Sequence, residues 1–209
     1  MKIEGEYIFD GPREKVWEIV RDPEVLATAL PGTQSLEQVS ETEYAGQMHV
    51  RVGPVAGVFA GRIVVSEEVP PESCTLAVDG RGAPGFANGI GRIQLEELED
   101  GRTLMKYEGE MQVGGRIASV GQRLIDSASK SMIAQGLESL NNSLKAQEEA
   151  EAEGKEVVYT PPSEAEFAAA VAKDVARDML PPAQTLAVVL AIIAAVLVLV
   201  LWLSRKEEE

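Results

Sequence analysis

The alternation of apolar and polar positions begins at the first residues. In KIEGEYIF (2–9), Ile3, Gly5, Tyr7 and Phe9 fall on one side and Lys2, Glu4 and Glu6 on the other, the two-residue period of a half-buried strand. The period then lengthens. Val16, Trp17, Ile19 and Val20 predict a short helix with Asp10 as its cap and Pro12 in its first turn, and DPEVLATALPG predicts a second, opened by Asp22-Pro23 and closed by Pro31-Gly32. From Thr33 to Val113 period two returns, with strands expected at 34–39, 43–52, 57–68, 73–82, 87–98 and 102–113. Gly53-Pro54, Pro70-Pro71, Gly82–Gly85 and Asp100-Gly101 punctuate them. Links this short imply an antiparallel meander.

The inward faces read as Tyr44, Met48, Val50 and Val52; Phe59, Gly61, Ile63 and Val65; Cys74, Leu76 and Val78; and Met105, Tyr107, Met111 and Val113. The strand after Phe86 is unlike the others, because its like-facing residues run Ala87, Gly89, Gly91, Ile93, Leu95, small at one end and large at the other. Glycine there either leaves room for a ligand or lets the sheet bend, and both readings stay open. Met105 and Met111 suit an adaptable apolar site and equally an ordinary core.

Beyond Gly114-Gly115 a long helix is expected to about Ala146. Ile117, Val120, Leu124, Ala128 and Gln135 share one face of it, and Ile133, Leu137, Leu140 and Leu144 lie nearly opposite. A kink near Gly136 or a second packed surface at the helix end would each explain the switch. A domain at 1–146 is followed by an acidic stretch at 147–162 that reads as a flexible linker, its coil reaching about 25 Å. Ser163 and Glu166 then form a capping box for an amphipathic helix at 163–180, on which Phe167, Val171 and Val175 align. The run LAVVLAIIAAVLVLVLWL (186–203) is 18 apolar residues without a charge. Extended to Ala183, it predicts a transmembrane helix at 183–203, followed by a polar tail at 204–209.

Composition narrows the chemistry. The formal net charge is −15, from 19 Lys and Arg against 34 Asp and Glu, which argues against nucleic-acid binding and against a polybasic membrane patch. The N-terminus lacks a secretory signal pattern, so the expected location is the cytoplasmic membrane, with a single C-terminal span and the main domain facing the cytoplasm. One cysteine, Cys74, and one histidine, His49, cannot supply a disulfide, the usual zinc ligand set or an iron-sulfur cluster, so no metal site is expected. Nor can they form a Ser/His/Asp or Cys/His set in which both histidine and its partners face inward, since His49 is read as outward.

The order strand, two short helices, six antiparallel strands and a long helix resembles the α+β helix-grip fold, also called START-like or SRPBCC, in which a curled sheet wraps the helix around an apolar cavity. The segments PREKVW (12–17), DPEVL (22–26), Pro31-Gly32, VGPVAGVFAG (52–61), PPESCTL (70–76), GFANG (85–89) and VGGRIASVGQRLID (113–126) look like the G-subunit family of carbon monoxide dehydrogenase. That resemblance implies an accessory protein that is no enzyme. It would recruit a molybdenum hydroxylase of the carbon monoxide dehydrogenase type to the membrane and couple its electrons to the respiratory chain. It implies no tightly bound cofactor, but an isoprenoid quinone, menaquinone or ubiquinone, as an apolar ligand. The residues expected to hold it are Phe59, Ile63, Phe86, Gly89, Gly91, Met105, Tyr107, Met111 and Leu124. Alternatives are a lipid or apolar-ligand carrier without an enzyme partner, and a cyclase or hydrolase of the same fold.

Overall fold

The computed structural model describes residues 1–30, 32–153, 160 and 162–179. The expected span at 183–203 and tail at 204–209 lie outside the described residues, as does most of 154–162. Among the described residues no helix is long and apolar enough to cross a membrane. The chain divides into two compact units, Met1–Asp174 and Val175–Glu209. The first contains every strand and the long helix that packs on them.

Strand β1 (Lys2–Phe9) leads into α1 (Arg13–Ile19) and α2 (Pro23–Ala29). Six strands follow: β2 (Thr33–Ser40), β3 (Glu43–Val52), β4 (Val55–Val69), β5 (Ser73–Gly82), β6 (Gly85–Glu97) and β7 (Thr103–Gly114). They form one antiparallel sheet in the order β1-β7-β6-β5-β4-β3-β2. Because β1 and β2 lie at opposite edges, their connection has to cross the whole sheet, and α1 and α2 make that crossing. Asp22 caps α2, accepting from the Glu24 and Val25 N–H groups at 2.8 and 3.2 Å, with Pro23 in the first turn.

The sequence assigns Asp10 the same role for α1, and the structure assigns it another. Pro12 occupies the cap position without a side-chain bond. Asp10 instead accepts from Asn141 Nδ2 at 2.9 Å and pairs with Lys145 Nζ at 2.7 Å, fastening the end of β1 to the long helix. Lys145 first, and Asn141 after it, hold the Asp10 carboxyl below its ordinary pKa. The unfolded chain, in which aspartate titrates near about 3.9, therefore takes up the proton more readily. Stability from this contact is present in full above that pH and is lost as pH falls through the folded value. Asp10→Asn should flatten the acid limb of a plot of Tm against pH relative to the parent, and an unchanged limb would show that Asp10 contributes nothing to acid sensitivity.

Helix α3 (Gln122–Glu153) starts later and ends later than the sequence predicts. A separate 3-10 turn, Arg116–Val120, precedes it, bracketed by Gly115 (φ 83°) and Gly121 (φ 95°), both in the left-handed region that favours glycine. At the other end, residues 147–153 of the expected linker continue the helix. Ala150 is buried and Lys15 reaches Glu151 at 3.0 Å. The change of apolar face is explained by packing rather than by a break. Gly136 is buried, and a Cβ there would lie 2.9 Å from Leu30 Cδ2 at the end of α2.

The second surface is supplied by α4 (Glu164–Met179), which opens with the predicted capping box, Ser163 N–H donating to Glu166 Oε2 at 2.8 Å. On its buried face, Phe167 and Val171 align with Asp174, whose Oδ2 accepts from Ser131 Oγ at 2.7 Å and Gln135 Nε2 at 3.1 Å of α3. The main core is closed by Phe9, Val16, Ile19, Ala29, Leu95, Met105, Leu140 and Leu144, where α3 and α1 meet β1, β6 and β7. A second cluster, Tyr44, Val65 and Cys74, joins it through Trp17 and Ile93.

Candidate functional site

The helix-facing side of the sheet is filled where α3 ends, less filled across its middle, and closed again at the turn end by Val52, Phe59, Pro84 and Ile117. Where α3 ends, Phe9, Met105, Leu95 and Leu144 are at most 3% exposed. Towards the β3–β4 and β5–β6 turns, the same face carries Met48, Ile63, Val78, Met111 and Val113, and each is only half-buried. Inward apolar side chains that keep solvent contact mark space the core does not fill.

Register explains the space. Ala87, Gly80, Gly61 and Gly46 lie directly opposite one another across β6, β5, β4 and β3, a row almost without side chains. On one side of it run Met111, Gly89, Val78, Ile63 and Tyr44, and on the other Gly82, Phe59 and Met48. A Cβ built on Gly80 would find only the Ala87 carbonyl oxygen, at 3.5 Å, within 4 Å. One on Gly61 would find only the Asp79 oxygen at 3.3 Å and Gly80 Cα at 3.6 Å. No α3 atom lies within 4 Å of either position, whereas Gly46 at the β3 end of the row is covered by β2, a Cβ there lying against the Ser35 oxygen and 3.2 Å from Leu36 Cδ1.

Other glycines serve the curvature. A Cβ on Gly89 would lie 2.7 Å from the Glu110 oxygen, and one on Gly109 would lie 2.6 Å from that of Ile90, so the β6–β7 backbones meet too closely there for side chains. Room and bend, which the sequence leaves as alternatives for one strand, are thus divided among different glycines. The turn end is closed by Pro84, whose Cγ would lie 2.5 Å from a Cβ on Gly57 and whose carbonyl accepts from Ile117 N–H at 2.8 Å. Leu124 at the start of α3 lies over Gly53, 3.0 Å from where its Cβ would be.

Of the nine residues expected at the site, Ile63, Gly89, Gly91 and Met111 share this face, with Phe59 and Leu124 at its turn end. Tyr107 has the same orientation but lies towards β1, its ring filling the space over Gly5, and burial raises its phenol pKa. Met105 is 2% exposed in the packed core, too deep along β7 to border the open row. Phe86 is on the opposite face of β6 from Gly89 and Gly91, 39% exposed, with its ring against Gly114. Gly46, Gly61, Gly80, Ala87, Met48 and Val78 belong to these rows and are not among the nine. Alternation reads Met48, Gly61, Val78 and Ala87 as inward, but that Gly46, Gly61, Gly80 and Ala87 line up across four strands is visible only once register is known.

The band's chemistry is apolar. The three rows contain no acid or base except Tyr44, whose hydroxyl donates to the Arg21 carbonyl at 2.8 Å. Cys74 is buried, and that burial, more than nearby Glu68, pushes its thiol pKa up. Among the described residues no group of three or more His, Cys, Asp or Glu is placed to hold a metal ion. A hollow of about 300 Å³ is lined by Glu4, Glu6, Arg92, Gln94, Lys106 and Glu108 of the other face, with Gly5 and Tyr107 between them, and is polar.

Comparison with curated proteins gives no match. Among solved structures, a conserved protein from Geobacillus kaustophilus is 30% identical, with a TM-score of 0.67 over 69% of this chain and 95% of that one. A START superfamily protein from Mycobacterium smegmatis (13% identity, TM-score 0.53, 69% and 97% covered) shares the fold. So does a Streptomyces aromatase/cyclase (14%, 0.53, 70% and 94%). The model of the CoxG family, described as the G subunit of carbon monoxide dehydrogenase, matches residues 5–145. With that match over most of the chain, and a seven-stranded antiparallel sheet around a long helix, this protein belongs to the CoxG family and has its START-like helix-grip fold.

Proposed function

We propose that this protein is a membrane-anchored accessory protein that holds an isoprenoid quinone or similar apolar ligand between sheet and α3 and recruits a carbon monoxide dehydrogenase-type molybdenum hydroxylase to the cytoplasmic membrane. The observation that carries the ligand half of the reading is the row Gly61–Gly80–Ala87, almost without side chains and bordered by half-buried Met48, Ile63, Val78 and Met111. An elongated apolar molecule would complete the burial these side chains lack. The fit is in the cradle: a Cβ on Gly61 or Gly80 would meet backbone atoms of the neighbouring strand and no side chain, and the half-buried side chains that border them are aliphatic or thioether. A quinone would supply redox chemistry when bound, while this chain's residues enclose it and exclude water.

The band's lack of acids and bases favours binding over catalysis. The family supports the accessory role, and the apolar run 186–203 supports the anchor. The full chain purified from native membranes should carry a quinone in its lipid extract and a molybdenum hydroxylase among its co-purifying proteins, both read by mass spectrometry. A chain ending at residue 182 should move to the soluble fraction. A full-length preparation without quinone removes the ligand, one without the hydroxylase removes the partner, and a shortened chain that stays on membranes removes the anchor.

A further inference from the structure

Carboxylates are unevenly placed in this acidic protein. Within residues 1–145 the three longest stretches without Asp or Glu are 44–66, 80–95 and 111–125, and they carry Arg51, Arg62, Arg81, Arg92, Arg116 and Arg123. The fold brings their tips together. The β3–β4 turn, the β5–β6 turn and the 3-10 turn meet around Pro84, Gly57, Ile117 and Leu124. Arg51, Arg81, Arg116 and Arg123 are exposed there, whereas Arg62 and Arg92 sit mid-sheet opposite Asp79 and Glu108. Asp79, paired with Arg81 at 3.1 Å, and Asp126, bonded by Gln122 at 2.7 Å, are the carboxylates that border this end.

The same end exposes apolar groups. Val58 and Phe86 are each 39% exposed, and Pro54 and Ala83 are exposed at the turns. The turns at the other end are acidic: Glu41 and Glu43 flank β2–β3, Glu67, Glu68 and Glu72 flank β4–β5, and Glu96, Glu97, Glu99 and Asp100 flank β6–β7. The domain is therefore polar in charge along its strands. The net charge of −15 argues against a polybasic patch for the chain as a whole, but its uneven placement leaves one end that an anionic surface would repel and another that offers arginines around apolar tips, the pairing that holds peripheral elements in a lipid headgroup layer.

We infer that the arginine-rich turn end, with Pro54 and Ala83 at its tips and Val58 and Phe86 exposed on the adjoining outer face, docks on an anionic bilayer surface. This rests on the membrane-associated, ligand-carrying function proposed for the chain and deepens it. The row Gly61–Gly80 lies one inward register step from Phe59 and Gly82, so docking in this sense sets the end of the band that Pro84 and Leu124 close beside the lipid that would supply its ligand. Phe86 then has a role on the face where the structure puts it.

Hydrogen exchange on the full chain in lipid nanodiscs tests this, comparing phosphatidylcholine alone with phosphatidylcholine mixed with phosphatidylglycerol. Peptides covering 51–60, 81–90 and 114–123 should exchange about fivefold more slowly on the anionic discs. The difference should vanish between about 0.1 M and 1 M salt, as the screening length falls from roughly 10 to 3 Å. Combined Arg51→Glu, Arg81→Glu and Arg116→Glu should abolish it. Combined Lys2→Glu, Lys106→Glu and Lys130→Glu, the same change in net charge elsewhere, should preserve it. Equal exchange on both discs, loss in the lysine variant as well, or protection produced only by an added acidic protein would each overturn the docking. Quinone content of the same samples keeps the two readings apart. Protection without quinone leaves docking standing and removes the ligand, and quinone without protection removes docking alone. A chain that elutes apart from both discs overturns the docking and the membrane reading together.

Discussion

Leucine at Gly80 is expected to displace the apolar ligand while leaving the domain folded. The backbone there is not in the left-handed region, so an L-residue fits it. The new Cβ would meet only the Ala87 oxygen at 3.5 Å, ordinary contact, and the rest of the side chain would occupy the space over the row. Removing glycine from a strand interior also recovers about 0.5–1 kcal/mol of backbone entropy. Quinone recovered with Gly80→Leu should fall at least about tenfold, equivalent to about 1.4 kcal/mol of lost binding, with Tm unchanged or raised. Gly61→Leu should lose quinone likewise but with a small fall in Tm, because its Cβ would lie 3.3 Å from the Asp79 backbone oxygen and the strand must give slightly. Gly89→Leu makes a poorer test, because a Cβ 2.7 Å from the Glu110 oxygen would force β6 from β7 and confuse ligand loss with misfolding. Full quinone content in folded Gly80→Leu and Gly61→Leu would place the ligand elsewhere.

Truncating Leu144 should have the largest effect on stability. Its side chain is fully buried between α3 and the end of β1, and its Cδ2 lies 2.8 Å from where a Cβ on Gly11 would be, so nothing bulkier could close over a gap. Leu144→Ala should cost about 2–5 kcal/mol, a fall in Tm on the order of 10 °C for a domain of this size. Ile90→Ser, at a position 57% exposed on the outer face, should change stability by less than about 0.5 kcal/mol. Thermal unfolding of the two side by side checks the assignment. A Leu144→Ala loss no larger than that of Ile90→Ser would mean that α3 is not held at this point.

The elements were readable because their signals are local. Alternation and Gly/Pro punctuation located every strand, and the Ser163–Glu166 and Asp22-Pro23 caps form as read. Errors arose where a distant partner decides. Residues 147–153 carry enough acid to pass for linker, yet Lys15 and a buried face hold them helical. Asp10 has the chemistry of a cap, but Asn141 and Lys145 claim it. Met105 has the face that alternation predicts, but its depth along β7 depends on where α3 crosses the sheet. Phe86 reads with its neighbours in GFANG, although alternation puts it on the other side of β6 from Ala87 and Gly89.

By itself, then, the sequence determined the strand and helix order, the family resemblance, the apolar C-terminal run and the acidic balance, since periodicity, composition and short motifs need no knowledge of contacts. Only the tertiary structure decided which glycines meet no side chain, which close the sheet's curve, and that carboxylate-free stretches far apart in the chain meet at one end. Those properties belong to strand register and helix placement, and they exist only when residues distant in sequence are brought side by side.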